Sequence, residues 1–562
     1  MNISAKEWFK SGSPWVWLNA GAVAVSIIMV IGLLGLIAVR GLSHFWPADI
    51  VQGKYTESGQ EVILVGEKVE THEVLTTQLL EAGIKLPEGN EYSIRHLMKI
   101  GNRDVNGTDF TWALEHYYAD QQTPEMLFAA ERHEWGNFYG YLRSIKESGQ
   151  EVGRVDGYEK NDAYLALWAD LDKRLDRVHE IHEDILDIEK HEIGTINHEL
   201  ERLRLKERGL QLDKVTDQSA YDQINQRRAE LDQEYEGLQK RLLDLYTAIN
   251  RDSLTAEVSN GQVIEIQLAK IVRAFRPNDM GVVQKIGHYF AKIWEFVSED
   301  PREANTEGGI FPAIFGTVMM VILMSILVTP FGVVAAVYLR EYAKQGFVTR
   351  LIRIAVNNLA GVPSIVYGVF GLGFFVYFLG GNIDDLFFPE AKPSPTFGTP
   401  GLMWASLTLA LLTVPVVIVA TEEGLSRIPR AVREGSLALG ATKFETLIKV
   451  VLPMASPAMM TGVILAIARA AGEVAPLMLV GVVKLAPNLP LDGNYPFIHL
   501  DQKFMHLGFH IYDVGFQSPN VEAARPLVYA TALLLVAVIA LLNLSAIAIR
   551  NHLREKYKAL EM

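Results

Sequence analysis

The chain has 562 residues, of which 49% are hydrophobic, and its formal net charge is −14. It contains no cysteine, which excludes disulfide bonds and thiolate metal sites. The acidic excess lies in residues 40–309, where 32 basic side chains stand against 50 acidic ones. An acidic region of this kind argues against nucleic acid as a partner.

Six apolar stretches have about the 20 residues that a helix needs to cross a bilayer. They cover residues 16–39, 310–339, 352–379, 402–420, 458–483 and 527–549. The first is too long for the apolar core of a signal peptide, so we interpret it as an uncleaved anchor. Lysine and arginine are enriched before the first stretch and after the second, fourth and sixth, which predicts cytoplasmic termini.

This topology divides the chain into five parts. We predict a cytoplasmic N-terminus (1–15), a transmembrane anchor helix (16–39), a periplasmic domain (40–309), a transmembrane domain (310–549) and a cytoplasmic tail (550–562). The protein is then expected in the bacterial inner membrane, with its large domain in the periplasm. The predicted fold class is membrane all-α with six transmembrane helices plus a periplasmic α+β domain.

Residues 40–309 contain several local patterns. Residues 61–65 and 263–268 read as strands, and residues 123–132 as a helix. Two runs within residues 163–250 repeat apolar side chains at alternating spacings of three and four, which predicts an antiparallel coiled-coil hairpin. The repeated positions are Leu171, Leu175, Val178, His182, Ile185 and Ile188, then Leu231, Tyr235, Leu238, Leu242, Leu245 and Ile249.

Four side chains in the first run have types that bind metals: His179, His182, Glu183 and His191. They lack the His-Glu-x-x-His spacing, because Glu183 and Leu186 occupy the positions four residues after the first two histidines. The pattern favours a solvated helix face, and we predict no metal site.

The basic loop at residues 422–455, between the fourth and fifth spans, carries a motif. Its residues are Glu434, Gly435, Ser436, Gly440, Val450, Leu452 and Pro453. The motif resembles the cytoplasmic loop of ABC importer permeases, in which Glu-Ala-Ala precedes a glycine six residues after the glutamate and an aliphatic-x-Leu-Pro ending. Gly435 and Ser436 replace the two alanines with small residues. The alternative interpretation is an ordinary amphipathic connector.

The resemblance implies a type I ABC importer permease fold, in which this loop contacts a separate ATPase. Residues 435–443 lack the Gly-Lys-Ser/Thr triplet of a phosphate-binding loop. We therefore expect a transport subunit that is not an enzyme, binds no cofactor and leaves ATP hydrolysis to its partner.

Two further segments resemble the PstA-type permease of phosphate ABC transporters. They are Gly-Val-Pro-Ser-Ile-Val-Tyr-Gly at 361–368 and Ala-Ile-Ala-Arg-Ala-Ala-Gly-Glu-Val-Ala-Pro-Leu at 466–477. The resemblance is close from residue 310 onward and does not extend to the large region 40–309. It implies a homologous second permease, an ABC ATPase dimer, a periplasmic phosphate-binding protein and surrounding membrane lipid as partners.

Charged residues within a span usually face a pathway or a partner. Arg469 and Glu473 are four apart and share a helix face. A guanidinium binds phosphate oxygens well, so we hypothesise that Glu473 pairs with Arg469 until phosphate displaces it. A structural ion pair at the interface with the second permease is an equal alternative. Ser364 and Tyr367 are candidate hydroxyl donors, although such residues more often pack between helices.

Two other functions remain open from the sequence. The first is a permease of the same class for another oxyanion, such as molybdate or sulfate. The second is a membrane-anchored sensor or scaffold, whose coiled-coil region binds a partner.

Overall fold

The computed structural model describes residues 11–57, 60–81, 84, 86, 91–302, 305–486, 488–518 and 521–557. In these ranges six helices are long and apolar enough to cross a membrane. They are Ser13–Ser43, Phe311–Tyr342, Ser364–Phe387, Leu402–Arg427, Lys443–Ala471 and Ala524–Glu555. Each predicted span therefore has a helix. Residues 1–10 and 558–562 of the predicted cytoplasmic ends lie outside the described residues.

The predicted boundaries of the third and fifth spans were wrong. Residues 352–359 belong to a separate helix, Phe347–Leu359, and the spanning helix begins at Ser364 after Pro363. Proline disfavours a helical conformation in the residue before it, which separates the two helices. The fifth span ends at Ala471, and a short helix, Leu477–Val480, begins after Pro476. An apolar run alone does not reveal these breaks.

Leu402–Arg427 is the central helix of the membrane part, with 67% of its apolar window buried. It packs against Phe311–Val337 on one side and Leu452–Ala471 on the other. Small residues allow this close approach: a Cβ on Gly332 would lie 2.6 Å from Val417, and one on Gly462 would lie 2.8 Å from Ala420. Small side chains at helix crossings are typical of membrane bundles.

The chain between the first and second spans, here called the inserted region, begins with an antiparallel five-stranded sheet of order β4-β3-β2-β1-β5. Its strands are β1 (Ile50–Glu57), β2 (Gln60–Leu75), β3 (Tyr92–Lys99), β4 (Phe110–Leu114) and β5 (Tyr118–Gln122). Short helices at Thr76–Glu81 and Arg103–Asn106 connect them.

A second sheet has the order β10-β9-β7-β6-β11, with β8 paired to β7. Its strands are β6 (Leu127–Arg132), β7 (Phe138–Glu147), β8 (Gln150–Arg154), β9 (Asp252–Glu257), β10 (Val263–Gln267) and β11 (Ile271–Phe275). The predicted helix at 123–132 was therefore wrong. Residues 127–130 are an apolar run buried on both faces of a central strand, which fits β-structure better than a helix.

Two long helical arms leave and rejoin this second sheet. The first runs through Asp162–Asp187, a π-helical turn at Ile188–Glu192 and Ile193–Leu212, and the second is Gln218–Ile249. Ion pairs join the arms, with Glu199 3.0 Å from Arg227 and Glu207 2.8 Å from Arg228.

The predicted heptad residues of the first arm pack against both the second arm and the second sheet, since Leu242, Leu245 and Ile249 of the second arm belong to the same hydrophobic cluster. Leu171, Val178 and Ile185 are buried in one hydrophobic cluster with residues of the second sheet, such as Leu254. The π-helical turn also shifts the side-chain stripe, since it inserts a residue into the helical repeat. Coiled-coil packing of residues 163–250 stays a prediction.

The first arm also contacts loops of the membrane part. His198 Nε2 lies 3.0 Å from the Tyr495 carbonyl oxygen, and its ring lies 5.8 Å from that of His499. Helix Ile193–Leu212 contacts the turn Pro389–Ala391, which follows the third span. The inserted region is therefore joined to the loops as well as to the spans on either side of it.

Candidate functional site

The loop between the fourth and fifth spans contains one short helix, and the fifth spanning helix begins after it at Lys443. Arg430–Ala438 follows Pro429, and Lys443–Thr446 begins at a capping box formed by Thr442 and Glu445. Between them Gly440 has φ +89°, a conformation that glycine adopts at little cost. Residues 422–427 and 443–455 of the predicted loop belong to the flanking spanning helices.

Arg433 holds the loop against the ends of the second and fourth spans. Its guanidinium lies 2.9 Å from the Glu341 carboxylate and donates to the carbonyls of Ile428 at 2.7 Å and Leu425 at 2.8 Å. Lys443 donates to the Glu341 carbonyl at 2.6 Å. The loop is therefore fixed to the membrane helices through charge-assisted hydrogen bonds. Sequence reasoning missed Arg433 and Lys443 as anchors, although both stand out as basic residues beside the motif.

Part of the loop surface is exposed and apolar. Glu434 and Gly435 are exposed, as are three large apolar side chains: Leu437 at 46%, Phe444 at 65% and Leu439 at 91%. Apolar groups clustered on a surface indicate an interaction site. Of the other predicted loop residues, Ser436 hydrogen-bonds Thr446 at 2.9 Å, whereas Leu452 and Pro453 are half-buried at the start of the next helix.

The pair Arg469 and Glu473 lies where the fifth span ends. The Arg469 Nε atom is 3.7 Å from the Glu473 carboxylate, and both side chains are half-buried. Glu473 lies just beyond the helix, and its backbone N–H donates to the Ala470 carbonyl at 3.2 Å. The guanidinium thus sits at the C-terminal end of a helix, where the helix dipole favours a positive charge.

The predicted hydroxyl donors lie beside this helix end. The Tyr367 hydroxyl donates to the Leu359 carbonyl at 2.6 Å and so joins the third span to the helix before it. A Cβ on Gly368 would lie 2.7 Å from Pro476, so the third span packs closely against the segment that follows Glu473. Ser364 is half-buried at the start of the third span.

A groove of about 440 Å³ runs along the central helix one turn before Arg469. It is lined by Asn357, Ala360, Pro415, Val416, Val419, Ala420, Glu423 and Leu465. Sequence reasoning missed it, because its walls come from three helices whose relative placement no local pattern gives.

The histidines of the first arm contact neighbouring carboxylates or another histidine ring. His179 lies 3.5 Å from Glu183, His191 lies 2.8 Å from Asp187, and the His182 ring lies 4.7 Å from the His133 ring at an angle of 40°. Burial, with the nearby charges of His182 and Arg302, lowers the pKa of His133 to about 4. Among the residues that the structure describes, no three potential ligands are grouped as a metal site would require.

Six apolar helices, one of which is buried at the centre of the bundle, define a multi-pass membrane protein, and its anchored loop presents apolar side chains. Comparison with known proteins identifies the family of this membrane protein. The chain belongs to the family of binding-protein-dependent transport system inner membrane components, whose match covers residues 328–559.

Similar curated proteins include a "Phosphate transport system permease protein PstA 1" of Mycobacterium tuberculosis, 34% identical over 244 residues, which are 43% of this chain and 71% of that protein. A "Probable ABC transporter permease protein YqgH" of Bacillus subtilis is 31% identical over 194 residues, 34% of this chain and 59% of the relative's length. A solved structure of the MetNI methionine ABC transporter aligns with 43% of this chain and 94% of its own, at 19% identity and a TM-score of 0.32.

Proposed function

We propose that the chain is a permease subunit of an ATP-driven phosphate importer. The observation that carries this is the loop of residues 430–446, which presents Glu434, Gly440 and exposed Leu439 while Arg433 fixes its other side to the spans. A surface that is both anchored to the helices and open to a partner suits transmission of force from an ATPase. The identity with PstA-named permeases supports phosphate as the substrate.

In this proposal the chain forms the translocation path with a homologous permease, and an ABC ATPase dimer binds the loop. A periplasmic binding protein delivers phosphate, and both termini lie in the cytoplasm. The inserted region, predicted as 40–309 with a coiled-coil hairpin at 163–250, then lies in the periplasm. No cofactor is assigned to this chain, since the partner ATPase uses the ATP.

The path is assigned to the neighbourhood of Arg469, Glu473, Tyr367 and Ser364. Support comes from the 3.7 Å gap in the Arg469–Glu473 pair, which is too long for a good hydrogen bond and leaves the guanidinium able to accept another anion. The groove along the central helix reaches to within a turn of this pair. Phosphate moving along that groove would meet Arg469 as a cationic group.

Uptake of labelled phosphate into cells that depend on this chain tests the proposal. We expect Leu439→Asp to reduce uptake strongly at unchanged membrane abundance, because it places a charge in the apolar contact with the ATPase. Leu243→Asp is the matched control, since Leu243 is 67% exposed on the second helical arm and should tolerate the change.

Excess unlabelled molybdate or sulfate should not compete with the labelled phosphate. Competition by either anion would reassign the substrate. Normal uptake by the Leu439→Asp variant would mean that the loop does not couple the chain to the ATPase. The sensor or scaffold function would then be the better explanation of the chain.

A further inference from the structure

A helix of 17 residues, Val282–Ser298, joins the second sheet of the inserted region to the second span. We call it the surface helix. It is too short to cross a bilayer and does not belong to the six spans. The transport proposal gives it no role, and sequence reasoning passed over it.

One face of the surface helix exposes large apolar side chains. Val282 is 70% exposed, Val283 83%, Phe290 64% and Trp294 71%, with Ile286 at 43%. The spacing of three to four places them in one stripe along the helix. All residues of this helix are described, and its exposed positions include no charge. They are Val282, Val283, Gln284, Ile286, Gly287, Phe290, Ala291, Trp294 and Ser298.

The charged residues of the surface helix point toward the protein instead. Lys292 lies 2.7 Å from Glu131 on β6, and Glu295, only 3% exposed, lies 2.7 Å from Arg302. Lys285 pairs with Asp49 just after the first span. In water this arrangement is doubly unfavourable, because burying ions and exposing apolar surface both cost free energy. It is favourable when the exposed face meets an apolar medium.

The surface helix lies where two spans end. Phe296 contacts Phe45, two residues beyond the first span, with ring centroids 5.1 Å apart. The Ile310 N–H donates to the Phe296 carbonyl at 2.9 Å, immediately before the second span begins at Phe311. The Trp46 ring lies 5.9 Å from the Tyr289 ring, measured between centroids. These contacts hold the helix at the level where the chain leaves the membrane, a level at which tryptophan is enriched.

We propose that the surface helix is an interfacial membrane helix, whose stripe of Val282, Val283, Ile286, Phe290 and Trp294 enters the lipid leaflet on the side of the inserted region. Lipid is the occupant, not a second protein, because the helix that carries the stripe contacts Phe45 and Trp46 directly after the first span, of whose apolar window 0% is buried within the chain. The surface helix thus lies at the end of a span whose surface the bilayer covers. An amphipathic helix with tryptophan and phenylalanine on its apolar face has the composition of such helices.

Site-specific labelling tests this directly, since the chain has no native cysteine. A bimane label on Phe290→Cys, in the full chain reconstituted into phosphatidylcholine vesicles, should be quenched by lipids brominated near the headgroup end of the acyl chain. Val39→Cys, near the end of the exposed first span that leads into the inserted region, is the lipid-facing control, and Asn225→Cys on the second helical arm is the water-facing control. We expect quenching comparable to that at Val39 and several-fold greater than at Asn225.

Ala291→Cys repeats the measurement at an exposed position where the change in size is small, in case loss of Phe290 disturbs folding. Quenching of both labels by aqueous iodide and not by brominated lipid would overturn the proposal. Protection from both quenchers would overturn it as well, since that result means that protein covers the stripe.

Discussion

Arg469 and Glu473 show how two interpretations of one pair lead to different kinetics. A structural pair loses the same interaction whichever partner is neutralised. In a pair that opens for phosphate, neutralising the arginine and neutralising the glutamate have different effects, because only the arginine binds the anion. The 3.7 Å separation is compatible with both interpretations, so the kinetic parameters decide between them.

We predict opposite effects on the Michaelis constant for phosphate uptake. Arg469→Gln should raise KM by about tenfold or more, since a hydrogen bond to a charged group contributes about 1.5–3 kcal/mol. Glu473→Gln should lower KM and also lower the maximal rate, because it removes the competitor for the guanidinium. Arg204→Gln, in an exposed pair with Glu201 on the first helical arm, is the control. Equal changes in KM for both variants would favour the structural pair.

Gly440 offers a second test at the scale of one residue. In the described part of the chain no atom lies within 4 Å of a Cβ placed on Gly440 or on Gly435, so neither substitution causes a clash. Only Gly440 has a positive φ, of 89°. Gly440→Ala should therefore strain the turn by about 1–2 kcal/mol and weaken ATPase binding by roughly tenfold. Gly435→Ala, within a helix, should bind at least as tightly as the wild type, and co-purification of the ATPase with each variant measures the difference.

At the scale of elements, hydropathy located all six spanning helices, because a helix satisfies its own backbone groups in lipid. It missed the break at Pro363 because the apolar run continues across it. It missed β6 because Leu127–Ala130 are all apolar and do not alternate as a half-buried strand does, and because one of its partners, β11, lies far away in sequence, with Ala274 opposite Ala130. The loop motif was recognisable from residue spacing, whereas its anchors depend on Glu341, which lies on another helix.

The base of the first helical arm depends on one buried carboxylate. Asp252, on β9, is fully buried and lies 2.9 Å from Arg174, 3.0 Å from Arg177 and 2.9 Å from Arg251. Burial alone would raise the pKa of Asp252, but the hydrogen bond from Arg251 and the charges of the three arginines hold it below its usual value. Its ionised form therefore stabilises the fold above the unfolded-state pKa, and this contribution is lost as the pH falls through the lower, folded-state value.

Asp252→Asn should lower the free energy of unfolding at pH 7 by about 3–5 kcal/mol, because it leaves three arginines without their buried partner. The difference from the wild type should shrink below about pH 4 as the native carboxylate becomes protonated. Urea denaturation of the full chain in detergent, followed by circular dichroism, measures both effects. Asp170→Asn removes a 43% exposed partner of Arg174, and its effect should stay below about 1 kcal/mol. Equal denaturation midpoints for the two variants would contradict the prediction.

At the scale of the whole molecule, charge and hydropathy separated an acidic inserted region from the spans, but they did not show how the two meet. The surface helix is the clearest example. Its apolar stripe is visible in the sequence at Val282, Ile286, Phe290 and Trp294, yet the same pattern is usual for helices that pack into a protein core. Only the buried ion pairs of Lys292 and Glu295 show which face is turned away from the protein.

The contact between His198 and the Tyr495 carbonyl restrains a loop of the membrane part. The loop that carries Tyr495 touches an arm rooted in a folded sheet, so it cannot shift far without breaking this contact. One such hydrogen bond contributes about 0.5–1.5 kcal/mol, which biases two positions of the loop by roughly twofold to tenfold. The arm therefore stabilises one position of the loop by a small free energy, which thermal motion can overcome.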